Sequence, residues 1–217
     1  MDFIDSNVQN YAEKHSVAEP DYLRELNRYT HMNVLKPRML SGHLQGRFLS
    51  MVSRMIKPQY VLDVGTYTGY SALCLAEGLS QDGVVYTIDN NEEVTETAKK
   101  FVARSPYQYQ IAFEIGDAMT EIERLNELVP FWDLVWLDAE KSEYIGYYNL
   151  CIDKLRPGGI LMADNVLWSG KVVDFSVMEK DLDARMLDEF NKTVLNDPRV
   201  FNVLMPIRDG IMMVQKL

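Results

Sequence analysis

The sequence predicts an α/β fold: a doubly wound sheet of about seven strands, mostly parallel, with one antiparallel strand near the C-terminus. Three observations predict it. From Tyr60 onward, short apolar runs rich in β-branched residues alternate with amphipathic helical spans, and strands separated by helices pair in parallel. The first run, Val61-Leu62 and Val64, turns through Gly65 and Gly69 straight into a helical stretch, Ser71 to Ala76. The last two runs are joined only by Pro206-Ile207-Arg208-Asp209-Gly210, a link too short for a crossover, so one of that pair runs antiparallel.

In chain order, residues 1–40 read as an irregular helical cap or arm, with candidate helices over Val8–Ala12 and Pro20–Leu26; Pro20 suits a first helical turn. Ser41 is placed to cap a helix running to about Ile56, with an apolar stripe of Leu44, Phe48, Leu49, Val52, Met55 and Ile56. Lys57-Pro58 stops it, and the glycine-turned strand follows. Strand is then expected over Val84–Asp89, Ile111–Ile115, Asp133–Leu137 and Gly159–Ala163. Helix is expected between them, over Glu92–Arg104, Ala118–Leu128 and Tyr144–Leu155. A long amphipathic helix, Met178–Asn196, precedes the final strands Val200–Met205 and Ile211–Gln215. The absence of repeats and linkers predicts one domain over residues 1–217.

Composition excludes several classes. No apolar run approaches the ~18 residues of a membrane span. The N-terminus lacks a basic region followed by an apolar one, so no signal peptide is expected and the setting reads as cytoplasmic. Cys74 and Cys151 sit in apolar helical runs and read as buried free thiols. The formal net charge of -10 argues against a nucleic-acid coat or an anionic membrane partner. From Arg24 to Lys57, however, seven basic residues stand against one acid, Glu25, a stretch that is either a solvated helical face or a receiver for an acidic substrate. His15, His31 and His43 have no metal-ligand spacing and read as structural or surface residues.

The chemistry lies at the carboxyl ends of the strands, where ligands bind in open α/β sheets. A strand that turns through glycines into a helix brings ligand and backbone close, and Asp89, at the end of the next strand, is placed to bond a ribose hydroxyl pair. Tyr67 stands where a dinucleotide site needs its middle glycine, which suits a nucleoside cofactor without pyrophosphate. Asp138 and Asp164-Asn165 close two further strands. Converging carboxylates repel unless a cation lies between them, and three oxygen donors suit Mg²⁺ or another hard ion such as Mn²⁺ or Ca²⁺. Lys141 follows Asp138 by three residues; repulsion from a dication would lower its pKa and make a neutral amine accessible as a base.

The form Asp63-x-Gly65-x-x-x-Gly69 resembles motif I of class I S-adenosylmethionine-dependent methyltransferases. With Gly116-Asp117-Ala118, Asp138-Ala139-Glu140-Lys141, Tyr144 and Asp164-Asn165-Val166-Leu167-Trp168-Ser169-Gly170, the chain from about Met39 resembles the cation-dependent O-methyltransferases, the caffeoyl-CoA and catechol O-methyltransferase group. The resemblance implies a Rossmann-like fold, S-adenosylmethionine as cofactor, metal ligands at Asp138, Asp164 and Asn165, and catalysis by Lys141 with Asp138. It implies cofactor contacts at Met39, Ser41, Gly65, Tyr67, Ser71, Asp89, Asp117, Ala118 and Asp138, and a homodimer. Glu140 departs from the aspartate that plant members carry. Trp168, Tyr144 and Met39 are candidates for an apolar wall around a small aromatic hydroxyl substrate. Ranked behind that acceptor are a hydroxylated nucleoside of tRNA, then a nicotinamide-dependent oxidoreductase, then a non-catalytic cofactor-binding protein.

Overall fold

The computed structural model describes residues 4–217; residues 1–3, the start of the expected arm, lie outside the described residues. Its strands are β1 (Tyr60–Val64), β2 (Val84–Asp89), β3 (Ile111–Ile115), β4 (Trp132–Leu137), β5 (Leu155–Ala163), β6 (Val200–Met205) and β7 (Ile211–Lys216). They form one sheet ordered β3-β2-β1-β4-β5-β7-β6. β7 runs antiparallel to both of its neighbours, and the other pairings are parallel, as the spacing predicts. β4 is buried along its whole length, which is why Trp-Asp-Leu-Val-Trp-Leu reads as an almost unbroken apolar run.

Successive side chains of the central strands alternate between two cores. Leu62, Val64, Val135 and Leu137 pack under α6 (Ala118–Leu128), α7 (Tyr144–Lys154) and α9 (Leu182–Leu195). Val61, Leu134 and Trp136 pack under α2 (Asp21–Asn33), α3 (Gly42–Ile56), α4 (Tyr70–Ala76) and α5 (Glu92–Val102). The first helix, α1 (Ser6–Lys14), carries no buried residue. Cys74 and Cys151 are free and buried, as expected. Among the described residues, no helix is long and apolar enough to cross a membrane.

Three local expectations are corrected. The long C-terminal helix is two: α8 (Phe175–Met178) and α9, because the Asp181 carboxylate accepts from Ala184 N at 3.1 Å and starts a fresh helix there. Ser41 precedes α3 but makes no side-chain capping bond, since its own backbone is already helical. The buried face of α3 is Gln45, Gly46, Leu49, Ser50, Val52 and Ser53, and Met55 is 67% exposed. The helix turns small and polar residues inward because it packs closely on α4, where Ser53 Oγ donates to Leu75 O at 2.5 Å.

Glu77, just past α4, explains much of the basic stretch. Arg47 donates to its two oxygens at 2.7 and 2.9 Å, Ser50 Oγ at 2.7 Å, Tyr22 OH at 3.1 Å and Arg54 at 3.1 Å. Burial pushes this carboxyl up, but the Arg47 and Ser50 hydrogen bonds outweigh it and its pKa ends below the ordinary value. One carboxylate thus ties α2 and α3 to the end of α4. Arg24 pairs with Asp21, so of the seven basic residues only Lys36 and Arg38 line the main cleft.

The Glu77 side chain is 2% exposed and Arg54 56% exposed. Glu77→Ala therefore strands Arg47 without its partner and should cost about 3 kcal/mol in urea unfolding. Arg54→Ala should cost less than about 1 kcal/mol. Equal, small losses would show that the clamp contributes nothing.

Candidate active site

β1 and β4 are neighbours at the point where strand order reverses, so the segments leaving them open a crevice. Backbone bonds lace the strand ends together. Asp138 N donates to Val64 O at 2.8 Å, Asp164 N to Leu137 O at 2.9 Å, and Gly65 N and Thr66 N both to Ile88 O at 3.0 Å. Gly65 has φ +110°, and a Cβ there would collide with the Asp138 carbonyl. Its first role is thus to let the exits of β1 and β4 pass each other.

The crevice is a cleft of about 770 Å³. Met39, Ser41, Gly65, Tyr67, Ser71, Asp89, Asp117, Ala118, Asp138, Lys141, Asp164 and Asn165 all line it, so the residues expected to bind the cofactor, hold an ion or move a proton reach one cavity. Asp89 accepts from Tyr67 N at 2.7 Å and from Asn91 N at 2.9 Å, which fixes the glycine turn against the carboxylate and leaves acceptor sites for a diol. The Tyr67 hydroxyl donates to Leu35 O at 3.0 Å, so its ring is pinned at both ends beneath the segment that carries Met39. Asp117 caps α6 through Thr120 N at 3.0 Å, and Ala118 N, in the first helical turn, has no intrahelical acceptor.

At the far side lie the charged groups. Lys141 Nζ donates to Asp138 Oδ1 at 2.9 Å and to Tyr144 OH at 2.8 Å. Burial alone would lower the pKa of this ammonium; Asp138 and Tyr144 outweigh it, and the net shift is upward. Asp138 thus holds the Lys141 proton in this arrangement; the lowering expected of Lys141 is the effect of a dication placed beside the pair. Asp164 is 3% exposed, and burial followed by the Asp138 charge raises its pKa above the usual carboxylate range. Tyr144 is fully buried, so it is no wall of the substrate pocket. Its hydroxyl lies 3.1 Å from both Leu137 O and Asp164 O and ties together the ends of β4 and β5. Trp168 and Met39 do line the cleft.

Two participants carry no motif: Gln45, whose Nε2 donates to Asp164 Oδ2 at 2.7 Å, and Arg208, which donates to Gln45 Oε1 and Ser41 O. A polar residue in the core-facing stripe of α3 was the one available signal for Gln45. Among the described residues, no group of three or more His, Cys, Asp or Glu is placed to hold an ion. The expected donor set differs in kind: two carboxylates and an amide, with no Cys or His lining the cleft. Two crowded acids, with Asn165 lining the same cleft, are oxygen donors of the kind that hard divalent ions take.

Comparison with known proteins follows the same lines. The profile of the O-methyltransferase family matches residues 13–217. The Dictyostelium discoideum protein named probable caffeoyl-CoA O-methyltransferase 2 is 32% identical over 215 residues, covering 98% of this chain and 92% of that one. Caffeoyl-CoA O-methyltransferase 2 of Populus trichocarpa is 28% identical over 206 residues, covering 92% of this chain and 83% of that one. Among solved structures, an SAH-bound methyltransferase of Podospora anserina superposes with a TM-score of 0.87 at 26% identity, covering 97% of this chain and 94% of that one.

Beneath the glycine turn, Asp63 is buried with Oδ2 accepting from Thr87 Oγ1 at 2.7 Å and Ser71 Oγ at 3.2 Å, while Oδ1 has no partner. Burial pushes this carboxyl up to about 7 despite those hydroxyls. An unfolded aspartate titrates near ~3.9, so between there and neutrality the folded chain keeps a proton that the unfolded chain has released. The stability linked to that proton is complete at low pH and is lost as pH rises to about 7. Asp63→Asn needs no proton. Its stability relative to wild type should climb from pH 5 to pH 7, by up to about 1.4 kcal/mol per pH unit in urea titrations. A difference that stays flat with pH would mean that Asp63 is ionised in the folded protein.

Proposed function

The chain belongs to the O-methyltransferase family, and from that premise we propose that it is a Mg²⁺-dependent enzyme that transfers a methyl group from S-adenosylmethionine to one hydroxyl of a small catechol-type or hydroxycinnamoyl-type acceptor. The observation that carries this reading is the sharing of one cleft by a glycine turn with Asp89 on one side and Asp138, Lys141, Asp164 and Asn165 on the other. The reading treats residues 1–217 as one catalytic unit, working in the cytoplasm as a homodimer.

A phenolic hydroxyl has a pKa near ~10 and is a poor nucleophile at neutral pH. When bound, S-adenosylmethionine supplies a sulfonium-activated methyl group, and the divalent ion supplies Lewis acidity toward the acceptor's oxygens. Asp138, Asp164 and Asn165 are the residues that would hold the ion, and Mn²⁺ or Ca²⁺ would suit the same oxygens. Asp89 accepts from the ribose hydroxyls, while Met39, Ser41, Tyr67, Ser71, Asp117 and Ala118 line the rest of the donor's path. Lys141 Nζ takes the acceptor's proton. In the structure it is an ammonium bound to Asp138, so it must first release one proton to solvent to become the neutral amine. That release is favoured once Asp138 shares its charge with a divalent ion, whose own charge repels the ammonium. Trp168 and Met39 flank the acceptor's ring and keep water from the methyl group.

Methyl transfer to a catechol, caffeoyl-thioester, flavonoid and RNA panel, run with Mg²⁺ and with EDTA, tests this reading. Activity on a vicinal diol should vanish in EDTA and return with Mg²⁺. Asp164→Ala should abolish turnover with S-adenosylmethionine binding kept in calorimetry. Lys141→Met should lower kcat by about 10²–10⁴-fold. Full activity in EDTA removes the ion from the mechanism, and transfer to RNA alone removes the aromatic acceptor.

A further inference from the structure

Gln45 is 1% exposed and lies between two charged groups that come from elements far away in the chain. Its Nε2 is 2.7 Å from Asp164 Oδ2, and its Oε1 accepts from Arg208 Nη1. The same Nη1 reaches Ser41 O, and Leu40 O at 3.3 Å. A side-chain amide can be turned either way, but here its orientation is forced. A guanidinium carries only donors, so the amide oxygen faces Arg208; the NH₂ group is left for the carboxylate, which only accepts. The other carboxylate oxygen, Oδ1, accepts from Asn165 N at 2.8 Å. Asp164 is therefore held at both oxygens, each with lone pairs to spare.

Arg208 holds this geometry at a cost. Its φ is +49°, in the left-handed region that non-glycine residues rarely occupy. The turn between β6 and β7 takes on that strain while placing the guanidinium against the start of α3. Strain of this kind persists where the surroundings fix it and clusters at working sites.

We propose that Gln45 is a positioning residue of the ion site: locked by Arg208, it holds the Asp164 carboxylate in the orientation that a divalent ion requires. This rests on the ion-site reading given above. Groups that bond to a ligating carboxylate from behind typically change metal affinity by about 10–100-fold when removed. Because Arg208 also grips Ser41 O, the same contact joins the wall of the donor pocket to the acid cluster.

Mn²⁺ binding to the full chain, measured by electron paramagnetic resonance in saturating S-adenosylhomocysteine, tests the proposal without turnover. Gln45→Met, close in volume but unable to donate, should weaken Mn²⁺ binding by about tenfold or more, with affinity for S-adenosylhomocysteine unchanged in calorimetry. Arg208→Gly frees the amide to turn and relieves the left-handed backbone. It should weaken Mn²⁺ binding by a few-fold with no fall in Tm, a combination that a merely structural role would not give. If Gln45→Met does not fold, Arg208→Gly decides. Wild-type Mn²⁺ affinity in the folded variants overturns the role of Gln45. Parallel loss of Mn²⁺ and S-adenosylhomocysteine overturns it too, because that marks general damage to the cleft. If the wild-type chain binds no Mn²⁺, the ion-site reading falls and takes this role with it.

Discussion

Two carboxylates at the ends of adjacent parallel strands repel, and the groups around them are arranged to contain that repulsion. Asp138 and Asp164 directly follow Leu137 and Ala163, which pair in register across β4 and β5. Neighbouring strands lie only ~4.8 Å apart, so the two acids cannot avoid each other. The Lys141 ammonium meets Asp138, Gln45 and the Asn165 amide meet Asp164, and the Tyr144 hydroxyl joins the two strand ends from below. Every one of these partners is acceptable alone; together they knit α3, α7 and the exits of two strands into one polar junction inside an apolar fold.

The loops around that junction pay in backbone strain. Lys36, Tyr67, Asn165, Trp168 and Arg208 all have positive φ, and all line the cleft. Left-handed backbone at a non-glycine residue costs of order 1 kcal/mol, and it persists only when neighbours over-determine it. Tyr67 meets that condition, since Asp89 holds its amide and Leu35 O its hydroxyl. Ser169, also left-handed, has its amide held by Asp209.

Much of this was legible in the residues. Buried parallel strands must be apolar nearly throughout, so their positions stand out, and topology then dictates that whatever follows them faces the cleft. That is why Asp89, Asp117, Asp138 and Asp164 could be gathered from one line of text. The unreadable part is pairing at long range. Gln45 and Asp164 are 119 residues apart, Gln45 and Arg208 163, and no local pattern announces either contact. Lys141 was legible as far as its cleft: its spacing predicts that it shares one with Asp138, while the ion pair between the two is a contact that spacing alone does not give. Met55 misled because apolar periodicity assumes a greasy interface, and α3 instead packs through Gly46, Ser50 and Ser53. The break at Asp181 failed for want of a glycine or proline; an aspartate cap restarts a helix without either.

β7 lies between β5 and β6, although it comes after both in the chain. β6 can therefore join the sheet only once Ile211–Lys216 has formed, and until then the outer edge of β5 has no partner. On a ribosome, β5 leaves the tunnel about 50 residues before the segment that seals it. Its unpaired edge, Ile160 to Ala163, is apolar and open to other chains during that interval. Since Asp164 follows that edge directly, the carboxylate cluster takes its final form only once β7 has paired, and the interval before β7 emerges is the one in which a nascent chain is most exposed to misassembly.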